Sequence, residues 1–145
     1  MQQLINTLAQ LRRLRDKTVK ENTVALAQQR KICTQYDNNI KSLKLLAHKS
    51  GPQTGSVESL RNIDGYRHTL QRVISWQEQE KVLAQIKENR IRKNLVQAAC
   101  DEKIIELSLE EQRDALAAEL RSKAQKTLDD IASQCWTRKH AQQDE

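Results

Sequence analysis

Gly51, Pro52, Gly55 and Gly65 are the only glycine and proline residues in this 145-residue chain, and they fall within 15 positions of one another. These two residue types end helices most readily, glycine through the backbone entropy it loses on ordering and proline through its missing N–H and its ring. Residues 1–50 and 66–145 therefore contain nothing that forces the backbone out of a helix. A chain punctuated once folds back once. The expectation is an all-α fold, a long antiparallel two-helix coiled-coil hairpin whose C-terminal helix overhangs. As a single domain it has helices at about 3–48 and 58–139, a turn at about 49–57 and a frayed tail at 140–145. In the turn, Gly51 suits a left-handed C-cap, Pro52 stops propagation and Ser56 suits an N-cap. Gly65, about two turns later, suggests a kink or a short separate turn at the start of the second arm.

Composition agrees with helices. Ala, Glu, Lys, Leu and Arg supply 66 of 145 residues, and another 17 are Gln. Apolar residues are only 37% and aromatics 3%, too few for a thick core or a sheet. No apolar run exceeds four residues, against about 20 for a spanning helix, so no direct membrane span is expected. The first residues lack a charged segment followed by an apolar one, which argues against the usual secretion signal.

Cys33, Cys100 and Cys135 are odd in number and widely spaced, as for reduced, unpaired thiols. His48, His68 and His140 form no i,i+4 pair and neighbour no cysteine, so neither a metal nor any other cofactor is expected. No glycine-rich loop cradles a phosphate, and two helices offer a groove rather than a pocket to hold a nucleophile. The expectation is a non-enzyme with no catalytic residue.

Along the first arm a 4,3,4,3 spacing selects Leu4, Leu8, Leu11, Arg15, Thr18, Asn22, Ala25, Gln29, Ile32, Tyr36, Asn39, Leu43 and Leu46 as the seam, eight of 13 apolar. Val19, Leu26 and Ile40 fall one position off it and widen the stripe. Apolar residues in the second arm, from Ile63, Tyr66, Leu70, Val73 and Ile74 to Leu128 and Ile131, drift in phase. At 1.5 Å per residue the arms measure about 70 and about 110 Å. Pairing outwards from the turn sets Leu4 opposite about residue 102 and leaves the rest of the second arm for a partner, a second copy or a fold-back. Ser108 and Glu111 have capping-box form, read as a chance mid-helix match rather than a helix start.

Charge is unevenly spread. Residues 1–48 hold nine basic and three acidic side chains, the whole of the net +6, densest at Arg12, Arg13 and Arg15. Glu102, Glu106, Glu110 and Asp114 recur every four residues as an acidic stripe, which needs a basic neighbour or solvent. A basic helix invites nucleic acid, but the neutral second arm and scarce aromatics argue against nucleic acid as a partner. A purely structural coiled coil would have clean heptads and matched arms, and neither is read here.

The run Gln125-Lys126-Thr127-Leu128-Asp129-Asp130-Ile131-Ala132, followed by Arg138-Lys139, resembles the Gln-Lys-x-(Leu/Met)-Asp-Glu-x-Ala run of the flagellar type III export stalk family (FliJ). Tyr66, Thr69, Leu70, Val73 and Ile74 form a second match just after the turn. The resemblance implies a cytoplasmic protein, peripheral at the inner face of the cell membrane. It implies that the paired termini insert into a hexameric export ATPase and promote its assembly and turnover. It further implies contacts with the cytoplasmic part of the membrane export gate and with export chaperones. Carried onto this chain, the gate contact is Tyr66, Leu70 and Val73, with Tyr and Val replacing the family's usual Phe and small residue. Ordinary seam packing is the competing reading of those three. Arg12, Arg13, Arg15, Arg138 and Lys139 would form a positive ATPase-ring tip. The alternatives are the equivalent stalk of a virulence type III secretion system and a structural or adaptor coiled coil.

Overall fold

The computed structural model describes residues 1–49 and 57–144. Two helices account for almost all of them, α1 over Gln2–Lys49 and α2 over Val57–Gln143, and the described residues contain no strand. The two pack antiparallel on each other. Neither helix holds a proline, and the threonines that could compete with the backbone are satisfied within it. Thr7, Thr23, Thr34, Thr69, Thr127 and Thr137 each donate from Oγ1 to the carbonyl four residues back, at 2.8–3.0 Å. His48 and Lys49 close α1 and Glu58 opens α2, each with the sign the helix dipole favours.

The turn residues Gly51, Pro52, Gly55 and Ser56 lie outside the described residues. Gly65 falls inside α2 with no positive φ, so the helix continues through the expected kink. It also continues through Ser108, and at the far end through His140 to Gln143, past the expected close at about 139.

The chain divides into two compact units. One comprises Lys17–Ala99. There the helices pair antiparallel, with Arg30 Nε 3.5 Å from Glu88, Lys44 Nζ 3.4 Å from Glu78, and Lys81 bound to Asp37. Leu26, Gln29, Cys33 and Ile40 from α1, with Leu70, Ala84 and Ala98 from α2, are its buried residues. Residues 57–62 are all exposed, and burial on α2 begins at Ile63.

The other unit comprises Met1–Asp16 and Cys100–Glu145. Ile5, Ile105 and Leu109 are buried in it, Leu109 to 2% exposure. Arg12 lies 3.8 Å from Glu106 and Arg15 3.6 Å from Asp101, again antiparallel. Counting on from the Arg12–Glu106 pair places Leu4 opposite about residue 114, not 102. From Ala117 to Asp144 every residue is exposed, so here α2 runs on with no partner.

Burial also shifts the seam by one residue at alternate positions. On α1 the alternation of four and three is carried by Ile5, Leu8, Arg12, Val19, Asn22, Leu26, Gln29, Cys33, Tyr36, Ile40, Leu43 and Ala47, with Ala9, Leu11, Asp16, Ala25 and Asp37 half-buried beside it, whereas Leu4, Arg15, Thr18, Ile32, Asn39 and Leu46 of the expected seam are exposed. Val19, Leu26 and Ile40 thus belong to the seam rather than flanking it. On α2 the covered positions 63, 67, 70, 74, 77, 81, 84, 88, 91, 95, 98, 102, 105, 109, 112 and 116 form an unbroken alternation of four and three, with Glu80, Asp101, Glu106 and Ser108 half-buried beside it. The drift read from the apolar residues is absent from this set. Tyr66, Val73, Val82, Leu83, Ile86, Val96, Ile104 and Leu107 are exposed, while Arg67, Gln77, Lys81, Glu88, Glu102 and Gln112 hold seam positions.

Candidate functional site

Three surfaces follow from this arrangement, one in the Lys17–Ala99 unit and two in the other. In the first, the side chains matched to a gate contact separate. Leu70 is 7% exposed and packs in the seam, whereas Tyr66 is 50% and Val73 37% exposed. Leu70 could meet a partner only if the helices parted, because at 3.6 residues per turn it sits on the α1-facing side. Trp76, 55% exposed, continues the outer face three residues on, and Thr69, Arg72, Val73 and Trp76 line one shallow depression. Sequence reasoning passed over Trp76, although its spacing from Val73 and Thr69 marks it as a face neighbour.

In the other unit, the arginines near the amino terminus meet the acidic stripe. Arg12 pairs with Glu106 and Arg15 with Asp101, and an open depression is lined by Arg12, Arg13, Asp16, Glu102, Leu109 and Arg113. A second depression beside it adds Glu110 and Asp114. The stripe of Glu102, Glu106, Glu110 and Asp114 thus has its basic neighbour. Exposed pairs of this kind contribute about 0.2–1 kcal/mol each, enough to bias register without holding the helices together. Arg13 and Arg113 have no acidic partner among the described residues and leave the depression net positive.

The third surface is the bare stretch of α2. Arg138 and Lys139 sit on it, exposed and without an acidic partner among the described residues. The structure does not bring them beside Arg12, Arg13 and Arg15. Glu106, which faces Arg12, precedes Arg138 by 32 residues of continuous helix, roughly 48 Å at 1.5 Å per residue. The expected single positive tip is therefore two cationic sites at different levels of one unit.

The expected seam residue Gln29 anchors the polar centre of the Lys17–Ala99 unit, whose Cys33 and Glu88 sequence reasoning passed over. Gln29, 4% exposed, donates from Nε2 to the Ala84 carbonyl at 2.9 Å. Glu88 receives Arg30 at 3.5 Å and Arg92 at 2.9 Å, and its side chain is only 16% exposed. Cys33 is buried beside it. Burial pushes the Cys33 thiol above its ordinary range, and the hydrogen bond to Glu88 and the charges of Glu88 and Asp37 push the same way against Lys81. A thiol so held stays protonated and is a poor nucleophile or ligand. Cys100 and Cys135 are exposed. Among the described residues no group of three His, Cys, Asp or Glu side chains could hold a metal ion, and no helix is long and apolar enough to cross a membrane.

No curated protein and no solved structure matches the chain. A family model described as flagellar FliJ protein matches residues 4–141, nearly the whole length, which takes in the Tyr66 face, the Arg12 depression and most of the bare helix. The chain belongs to the flagellar FliJ protein family, components of the flagellar-type export apparatus.

Proposed function

We propose that this chain is the non-catalytic stalk of the flagellar export ATPase. In this reading the α2 stretch beyond α1 enters the hexameric ring and promotes its assembly and turnover. The Tyr66 face meets the cytoplasmic part of the membrane export gate, and export chaperones dock along the hairpin. The protein works in the cytoplasm, peripheral at the inner face of the cell membrane. The observation that carries the reading is residues 117–144, a run in which every residue is exposed although Leu120, Leu128 and Ile131 are among them. Family membership names the apparatus in which such a helix would find its cover.

The cations support the assignment. A ring interior that is acidic would draw in Arg138, Lys139 and Arg13, which have no acidic partner among the described residues. Arg12 and Arg15 are reassigned to holding α1 on α2, since each already faces an acid there. For the gate face, Tyr66, Val73 and Trp76 are the exposed candidates and Leu70 supports them from the seam.

The test is to measure hexamer formation and ATP turnover of the purified export ATPase with and without this protein. Wild-type chain should raise both. The triple variant Arg13→Glu, Arg138→Glu, Lys139→Glu should keep its helicity and lose the effect. An ATPase indifferent to the wild-type chain refutes the stalk reading and favours an adaptor role.

A further inference from the structure

The paired helices of the Lys17–Ala99 unit form a ribbon with two unlike sides. Arg30, Asp37 and Lys44 recur every seven residues on α1 and reach Glu88, Lys81 and Glu78 on α2, so that row marks one side. Two positions on from each, Ile32, Asn39 and Leu46 lie about 160° further round α1 and line the other side. On α2, Glu80 stands in the same relation to Glu78, and Tyr66, Val73 and Lys87 share its heptad position. Trp76 and Leu83 lie next to that row, three residues on from Val73 and Glu80. Ile32, Leu46, Tyr66, Val73, Trp76 and Leu83 are all exposed. Ion pairs thus hold one side of the ribbon, while large apolar side chains stand open on the other.

The open side is also cationic. Residues 25–46 and 66–93, the paired segments it spans, hold eleven basic and four acidic side chains. Three of those acids, Asp37, Glu78 and Glu88, are already bound to cations across the ribbon. The fourth, Glu80, is half-buried and is the only carboxylate these segments place on the open side. Lys87 and Arg90 stand on that side, with Lys31 along its α1 edge and Arg72 and Lys93 along its α2 edge. All five are exposed and have no acidic partner among the described residues. The neutral total of the second arm conceals this excess, because the acids that balance it lie beyond Ala99.

We propose that the open side of this ribbon is a docking surface for anionic phospholipid, on which the hairpin lies flat with its apolar side chains in the boundary between headgroups and acyl chains. Cations along both long edges can lay their stems on the apolar surface while their charged ends meet lipid phosphates. Tyr66 and Trp76 carry the amphipathic rings that settle at such a boundary. Asn39 and Glu80 occupy the middle of the open side, where a dry helix–helix seam would strip them of water and hydrated headgroups would not. A bilayer therefore fits this face better than a third helix does. The surface belongs to the chain alone and stands whether or not the chain works as a stalk. Lipid and an export gate would compete for Tyr66, Val73 and Trp76.

The experiment is co-sedimentation of the full-length chain with vesicles of phosphatidylcholine alone, or with about 30% phosphatidylserine, at rising salt. Wild type should bind the anionic vesicles, come off them as salt rises, and leave the neutral ones nearly bare. Each cation near an anionic surface is worth about fivefold in partitioning, so Lys87→Glu with Arg90→Glu should weaken binding by about 25-fold or more. Lys41→Glu with Arg61→Glu makes the same change in net charge on the ion-paired side, farther from the lipid than a screening length, and should weaken it by about threefold or less. In a Trp136→Phe chain, Trp76 is the one tryptophan left, and its emission should move to the blue on anionic vesicles. All these positions are exposed, so far-ultraviolet circular dichroism should read alike for every variant. A chain that ignores anionic vesicles overturns the proposal and returns this side to a protein partner, whatever the chain does with an ATPase. Equal losses from the two charge pairs, or a bound chain whose Trp76 emission does not move, overturn it as well.

Discussion

Ile32 and Ile40 allow the seam to be tested with one residue type on one helix. Both lie on α1 in the Lys17–Ala99 unit, at 39% and 7% exposure. The partnerless Ile131 at 52% and the outward-facing Ile104 at 63% show what a helical isoleucine exposes when no other helix touches it. Ile32 thus keeps about two thirds of that exposure and Ile40 about an eighth. Burying an isoleucine fully contributes about 2 kcal/mol, so alanine at position 32 loses about 0.7 kcal/mol of burial, and at position 40 about 1.8. Alanine returns about 0.4 kcal/mol of helix propensity at either site. Only Ile40 leaves a cavity, which adds about 1 kcal/mol; a neighbouring helix can partly collapse into it, so the sum stays near the low end for core truncations. Ile40→Ala should destabilise by about 2–2.5 kcal/mol and Ile32→Ala by under about 0.5. Urea unfolding followed by circular dichroism at fixed protein concentration reads both. An Ile32→Ala cost equal to or above that of Ile40→Ala would return the seam to the frame of Leu4, Ile32 and Leu46.

Two further outcomes follow from the same structure. Gly65 sits within α2 at a non-positive φ, and a Cβ built on it meets nothing within 4 Å, so Gly65→Ala should stabilise by about 0.5–1 kcal/mol in thermal unfolding. A loss of stability there would place strain where none is visible. The raised Cys33 pKa sets a pH dependence. The unfolded thiol ionises in its ordinary range while the folded one is still protonated, so this contribution is intact below that range and is lost as pH rises from there through the raised folded value. Cys33→Ala should flatten the alkaline decline, and a thiol reagent should modify Cys100 and Cys135 well before Cys33. An equal rate at all three would contradict the burial.

The topology was legible because breakers are local signals: four of them in one stretch allow two helices and one reversal. Register was not. On α1, Leu8, Leu11, Asn22, Ala25, Gln29, Tyr36 and Leu43 of the expected seam are covered, while at the layers of Leu4, Thr18, Ile32, Asn39 and Leu46 the next residue along is covered instead. Leu4, Ile32 and Leu46 are at least as apolar as Ile5, Cys33 and Ala47, so hydrophobicity alone does not favour the observed frame. On α2 the heptad was hidden for the opposite reason. Its strictest positions carry Arg67, Gln77, Lys81, Glu88, Glu102 and Gln112, which become seam residues only because α1 supplies partners: Asp37 for Lys81 and Arg30 for Glu88. A charge that is half-buried against its partner looks, in one dimension, like a charge in solvent.

The same polar seam bears on why so long a pairing stays in one register. Sliding α2 by one heptad would keep many apolar layers, and in a chain this poor in large side chains few of them would object. It would, however, carry Gln29 away from the Ala84 carbonyl and leave a buried amide without its acceptor, at about 1–3 kcal/mol. It would also part Asp37 from Lys81 and Arg30 from Glu88 together. The apolar layers hold the helices against each other, and the polar ones fix where along each other they sit, as single polar seam residues do in coiled coils. Register in turn decides how much of α2 is left over. With Arg12 facing Glu106, the bare stretch starts at Ala117 and contains Leu120, Leu128 and Ile131. One heptad of slip towards the carboxyl terminus would draw α1 over Leu120. The Arg12–Glu106 and Arg15–Asp101 pairs thus set, within their own unit, where the bare stretch begins.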